Sequence, residues 1–462
     1  MHIPIHHLAC QSCLSFLFLL LAMSGCSSVR PWVNEPLSAA ELQSRTAPRP
    51  RHDPSLLVAV TLSGGGARAA AFGFGVLTQM QKTTLAWNGK HTNLLAETDL
   101  VSGVSGGSIV AAYLAVFGSE GLARFEQDFL RQNFQDNLIS LALKPANLVA
   151  LTSPWFGRTH LLAQRLDHLY QGATYGDLSH RPNRPQLVIT ATDMSLGTGF
   201  EFSRSQFDLI CSRFGNVPIA FAVAASSAVP LLLSPVTVHN FSATCPRAAH
   251  QSRLAASGDG DYRARMMRAQ ERSYLDGAAR PYIHLVDGGL SDNLGVRRAL
   301  DQILGAGGLR DSMREYGYAK GSIRKLVLIS VNSERDPSDN IDTSDRLPAN
   351  AQVIDTLLFG TGARATRETQ EFLADITRQW QAELAAPGEV GKDVFAPDAE
   401  VHVIQVNLRD TPSELGRRAL LQVPTAFSIT SGEVTQLIDA GSATLRESPE
   451  FQQLLRSLAA PR

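Results

Sequence analysis

Apolar and polar positions along the chain predict strands and helices in alternation. Strand-like apolar runs occur at Leu56 to Leu62, Thr98 to Val101, Gln186 to Thr190, Ile283 to Val286, Lys325 to Val331 and Val401 to Val406. Helical patterns separate them: one runs from the glycines after Leu62 through Met80, another from Ile109 to Phe117, and a third from Val353 to Leu384. A final amphipathic stretch covers Gly432 to Leu458. The alternation argues for an α/β fold, a central sheet layered by helices. One large domain is expected over residues 55–335, with a polar, arginine-rich insertion near 238–280. Residues 336–462 either complete that domain or form an α-rich appendage, and no internal repeat is apparent.

Two strand-to-helix junctions carry candidate chemistry. The first strand empties into Ser63-Gly64-Gly65-Gly66-Ala67-Arg68. A phosphate cradle of the Walker type would need a Gly-Lys-Ser/Thr ending, which is absent. A dinucleotide fingerprint would need a third glycine where Ala69 stands. An oxyanion hole, with the Gly64, Gly65 and Gly66 amides aimed at a tetrahedral oxygen, explains why this loop precedes the second junction. That junction is Gly103-Val104-Ser105-Gly106-Gly107, a G-x-S-x-G pattern in which a sharp turn exposes a serine hydroxyl.

A serine hydroxyl needs a base within hydrogen-bond reach. The downstream histidines His160, His168, His180, His239, His250, His284 and His402 all lack a glycine-flanked loop that would hold them against a serine. His284 and His402 sit within apparent strands. Asp287, in Val286-Asp287-Gly288-Gly289, closes a strand-like run and is followed by two glycines that admit another backbone. Asp276-Gly277 is a less suitable alternative, set among alanine and arginine.

These landmarks, in this order, resemble the patatin-like phospholipases. The matching segments are Gly64 to Arg68, Gly103 to Gly107 and Asp287-Gly288-Gly289. Ala191-Thr192-Asp193, Ala225 to Pro230 and Ser291 to Val296 are similar to the family as well, so the likeness spans about Leu56 to Ala299. Two departures are Ala69, where the family has glycine, and the long interval from Pro230 to Asp287. The resemblance implies a three-layer sandwich with a mostly parallel sheet, and a lipid acyl hydrolase using a Ser105–Asp287 dyad without a cofactor or metal. Its substrate would be a phospholipid or another lipid ester. Arg68 would either pair with a substrate phosphate or cap the loop. The alternatives are a non-catalytic lipid-anchored scaffold and an esterase dependent on His284 or His402.

The amino terminus points to export. Leu14 to Met23 is an apolar run of signal-peptide length, shorter than the ~20 residues of a membrane span. It leads into Leu21-Ala22-Met23-Ser24-Gly25-Cys26, which resembles a bacterial lipobox with Cys26 as the acylated residue; an ordinary secretory signal or an uncleaved anchor is the alternative. Thus 1–25 reads as signal peptide and 26–54 as lipidated terminus and linker, with proline-rich Arg30 to Asp53 as a tether. The absence of aspartate at Ser27 resembles outer-membrane sorting facing the periplasm. The remaining cysteines, Cys211 and Cys245, are either a disulfide or two buried free thiols. A formal net charge of -1 gives no support for nucleic-acid binding, and no cysteine or histidine spacing suggests zinc.

Overall fold

The computed structural model describes residues 27–38, 53–181, 183–245, 262–335, 342, 344–356, 360–388 and 391–459. Cys26 and the apolar run before it lie outside the described residues.

An eight-stranded sheet organises the molecule. Its strands are β1 (Leu56–Leu62), β4 (Thr98–Val104), β5 (Gln186–Asp193), β6 (Thr198–Phe202), β7 (Val236–His239), β8 (Tyr282–Val286), β9 (Ile323–Asn332) and β10 (Phe395–Asn407). A separate hairpin is formed by β2 (Thr84–Trp87) and β3 (Lys90–Asn93). The order across the sheet is β10-β9-β1-β4-β5-β8-β7, with β6 also paired to β5. Strands β10, β9, β1, β4 and β5 run parallel, whereas β6 and β8 lie antiparallel to β5 and β7 lies antiparallel to β8.

Strand periodicity divides the core in two. Leu56, Val58, Val60 and Leu62 of β1 enter one apolar cluster with Val327 and Ile329 of β9, while Leu57 enters the other with Leu326 and Leu328. The first cluster is roofed by α1 (Gly66–Lys82), α2 (Gly106–Gly121) and α7 (Ser431–Glu447). The second is closed by α6 (Thr361–Ala385) through Leu373, Ile376 and Trp380. This is a three-layer α/β sandwich. The stretch Gly106–Arg124 has the length and hydropathy of a membrane span, yet 72% of its apolar window is buried inside the protein, where it is the central core helix.

The carboxy-terminal third contributes directly to this architecture. Strand β10 adds to β9 from Val401↔Leu326 to Asn407↔Asn332. Helix α7 lies so close to α1 that a Cβ on Gly75 would overlap the Ile438 backbone and one on Gly441 the Phe72 backbone. Only glycine allows that approach.

The amino-terminal segment differs from a free tether. Residues 27–38 lie on the domain body: Asn34 Nδ2 donates to Ser212 Oγ at 2.8 Å and to the His239 carbonyl at 2.9 Å. Trp32 packs on Phe221 with ring centroids 4.7 Å apart. Cys211 and Cys245 are disulfide-bonded, with Cα atoms 6.2 Å apart. In the insertion, residues 246–261 lie outside the described residues, and α5 (Tyr262–Leu275) packs back on the domain. Its Arg263 pairs with Asp301 at 2.9 Å. Arg280, just beyond, pairs with the fully buried Asp193 at 2.8 Å, which makes it a structural cation rather than a free headgroup ligand.

Candidate active site

The site lies beyond the carboxyl ends of the adjacent parallel strands β1 and β4, where open α/β sheets bind ligands. At the end of β4 the chain turns through Ser105 with φ 46° and ψ −122°, then enters α2 at Gly106. A positive φ at a residue with a Cβ is strained, and such strain persists only where the surroundings hold it. Two contacts do so. The Ser105 N–H donates to Ser226 Oγ at 2.8 Å, and Ser226 Oγ donates to the Thr190 carbonyl at 2.6 Å. The Ser105 carbonyl accepts the Ser108 N–H at 2.9 Å and its hydroxyl besides.

Ser105 Oγ donates to Asp287 Oδ2 at 2.8 Å, although 182 positions separate the two residues. Asp287 is held on every other side. Its Oδ1 accepts the Gly289 N–H at 2.8 Å, its N–H donates to the Ala228 carbonyl at 3.0 Å, and its carbonyl accepts Thr192 Oγ1 at 2.7 Å. Gly288 sits against the Thr190 backbone with no room for a Cβ. Ser105 and Asp287 are 6% and 8% exposed. Burial raises the Asp287 pKa from 3.8 to about 6, against the lowering effect of the Gly289 N–H and the Ser105 hydroxyl.

The glycine loop backs onto this pair. Gly65 (φ 137°) and Gly66 (φ 61°) have backbone conformations open to glycine, and Gly106 approaches Gly66 so closely that a Cβ would overlap its backbone. The loop is stapled to the end of β9: Ser63 N–H donates to the Val331 carbonyl at 3.0 Å, and Ser333 Oγ donates to the Gly64 carbonyl at 3.1 Å. The Gly64 N–H, however, donates to Asn293, 3.2 Å from its carbonyl and 3.1 Å from Oδ1. This corrects the three-amide expectation: the Gly64 amide is committed to scaffolding, leaving Gly65 and Gly66 at the turn into α1. The amino termini of α1 and α2 both open here, adding positive potential.

Arg68 is not placed to meet a substrate phosphate. It is 2% exposed, its Nε donates to the Ser333 carbonyl at 2.9 Å, and its Nη1 donates to the Val423 carbonyl. Burial lowers its pKa to about 9, so it remains a cation at neutral pH and straps the loop to β9 and to the carboxy-terminal region. The histidines stand elsewhere. His284 Nδ1 meets Thr237 Oγ1 at 3.0 Å on an exposed strand face, and His402 Nε2 meets Glu400 Oε2 at 2.9 Å on the edge strand β10. Asp276 accepts the Ala279 N–H in a local turn. Among the described residues no group of three or more His, Cys, Asp or Glu is placed to hold a metal ion.

Ser226 and Asn293 are the functional supports that sequence reasoning missed. Both fall in segments noted for family likeness, yet an isolated serine or asparagine gives no sign of a partner 121 or 229 positions away.

A mostly parallel sheet, with the Ser105 turn and a glycine loop over its strand ends, defines a three-layer α/β fold with a polar site at the strand termini. The family model of the patatin-like phospholipases matches residues 60–300, more than half of the chain, and the protein belongs to that family. Against curated proteins the sequence finds no match. Among solved structures it is similar to human GIVD cytosolic phospholipase A2, at 14% identity and a TM-score of 0.44, over 88% of this chain but 60% of that enzyme. VipD from Legionella pneumophila aligns over 95% of this chain and 72% of its own, at 12% identity and a TM-score of 0.34. ExoU of Pseudomonas aeruginosa, in its complex with SpcU, aligns over 39% of this chain and 37% of its own, with 21% identity and a TM-score of 0.20.

Proposed function

We propose that the protein is a lipid acyl hydrolase, of phospholipase A or lysophospholipase type, with Ser105 as nucleophile and Asp287 as general base. The observation that carries this reading is the 2.8 Å hydrogen bond from Ser105 Oγ to a carboxylate whose pKa burial has raised to about 6. An ordinary aspartate is a weak base, and a pKa nearer neutrality improves proton abstraction while the group stays ionised at pH 7.

As Ser105 Oγ attacks the ester carbonyl carbon, its proton passes to Asp287 Oδ2. The carbonyl π electrons move onto oxygen, where the Gly65 and Gly66 amides and two helix termini face the negative charge. Collapse breaks the bond to the alcohol oxygen, which leaves with the proton from Asp287. Water then attacks the acyl-serine, giving a proton to Asp287 and its hydroxyl to the acyl carbon. Collapse returns the serine with its proton and releases the fatty acid. Each oxyanion donor is worth about 10²–10³ in turnover.

The same reading takes Cys26 as a lipid attachment site and assigns the protein to a bacterial envelope membrane. A lipid-panel assay of wild type, Ser105→Ala and Asp287→Asn tests the chemistry. Release of fatty acid by wild type alone is expected, with fluorophosphonate labelling lost in Ser105→Ala. Folded wild type that neither hydrolyses nor labels would leave a non-catalytic lipid-anchored protein.

A further inference from the structure

Two short helices, α3 (Phe134–Ala142) and α4 (Pro145–Ala150), present an apolar face that no described residue covers. Their inner side chains, among them Leu138, Leu141 and Ala142, pack on Ala150, Phe156 and Leu161. Their outer ones do not. Ile139, Leu143, Leu148 and Val149 are each at least half exposed, and Trp155 is 45% exposed beside them. Such a concentration on one surface marks an interaction site.

Three features identify the occupant. First, this surface adjoins the hydrolase site. Arg158 Nη2 donates to the Leu231 carbonyl at 2.8 Å, and Leu231 and Leu232 are both 65% exposed, a few residues beyond the Ala228 carbonyl that accepts the Asp287 N–H. Second, between Asp136 and Asp167 the charged side chains are Lys144, Arg158 and Arg165, all cationic. Third, the chain outside the structure ends here. Ser27, next in sequence to Cys26, donates its N–H to Thr152 Oγ1 at 3.1 Å, Ser153 Oγ donates to the Val29 carbonyl at 2.7 Å, and Arg30 lies 3.9 Å over the Trp155 ring.

We propose that this face seats the protein on an anionic lipid bilayer, with Trp155 at the headgroup boundary and the Ser105 site turned toward the same surface. Aromatic side chains favour that boundary, and a shallow apolar face with flanking cations is the physics of interfacial binding. The docking rests on the lipid-hydrolase reading only for what the site then cleaves.

The test uses the full chain in vesicles of phosphatidylethanolamine and phosphatidylglycerol brominated along the acyl chains. Trp155 emission is expected to be quenched relative to unbrominated vesicles, and Trp155→Phe to remove that quenched component. The double variant Leu148→Glu with Val149→Glu should abolish the quenching. It should also slow hydrolysis of vesicle lipid about tenfold or more while leaving a soluble short-chain ester untouched. Unquenched Trp155, or equal vesicle hydrolysis by the double variant, overturns the proposal. So does a dimer in detergent that Leu148→Glu dissociates, since a second copy would then be the occupant. Quenching without hydrolysis of any ester would sink the catalytic reading and leave the docking intact.

Discussion

As the proposed general base, Asp287 would carry the pH dependence of the reaction, and its burial adds a stability penalty. With its pKa raised to about 6, the base is ionised at pH 7 and protonated below about 5. Hence kcat/KM on a soluble ester should fall about tenfold per pH unit on the acid side of 6, a limb that a pH–rate profile would display. The sign for stability is opposite to that of a salt-bridged carboxylate. An acid whose folded pKa exceeds its unfolded value gives stability at low pH that is lost as pH rises through the folded pKa. The gap from 3.8 to about 6 is roughly 3 kcal/mol against the ionised form. Asp287→Asn should therefore be inactive yet more stable than wild type at pH 8, with the difference fading by pH 4 in denaturant titrations. Burial disfavours the Arg68 charge as well, but its hydrogen bonds satisfy buried carbonyls: Arg68→Met should strip the Ser333 and Val423 carbonyls of their donor and lower stability by about 3 kcal/mol, without altering selectivity among lipid headgroups. Ser105, Asp287 and the glycine loop were legible in the sequence because each sits in a local pattern with a mechanical reason. The burial of Arg68 and the diversion of the Gly64 amide to Asn293 were not, since both depend on residues more than 200 positions away.

The strand-to-helix junctions show how elements position these groups. Gly106 opens α2 against the Gly66 backbone, so the Ser105 turn and the glycine loop share one tight seam. Gly106→Ala should split that seam, with a loss of more than about 3 kcal/mol or of soluble protein, followed by thermal unfolding. At this scale the apolar runs foretold the strands at the centre of the sheet. Strands β6 and β7 escaped notice: β6 is Thr-Gly-Phe-Glu-Phe, whose glycine reads as a turn, and β7 has four residues. The disulfide ties the end of one helical turn to the chain beyond β7, across 34 positions. By loop closure its reduction should cost about 3–4 kcal/mol, measurable as a shift in denaturant midpoint with and without dithiothreitol.

Across the whole molecule, the segment matched by the family model is not the folding unit. Residues 60–300 lack β9 and β10, and without β9 the strand β1 loses its partner from Leu56↔Lys325 to Leu62↔Val331. A chain ended after residue 335 would keep β9 but expose it as an apolar edge and strip α7 from α1; it should aggregate under conditions in which the full chain folds, as size-exclusion chromatography in detergent would show. Whether the last third completes the domain or hangs from it could not be read from its residues, because helix periodicity is the same in either setting. The contact at its heart is small. The Ala67 N–H donates to the Ala426 carbonyl at 2.7 Å, and Gly66 has no room for a Cβ beside that same residue. The glycine loop is therefore backed by residues that are synthesised long after it. On the proposed reading, a nascent polypeptide carries its serine for some time without that backing, so hydrolytic capacity waits until translation has passed Ala426.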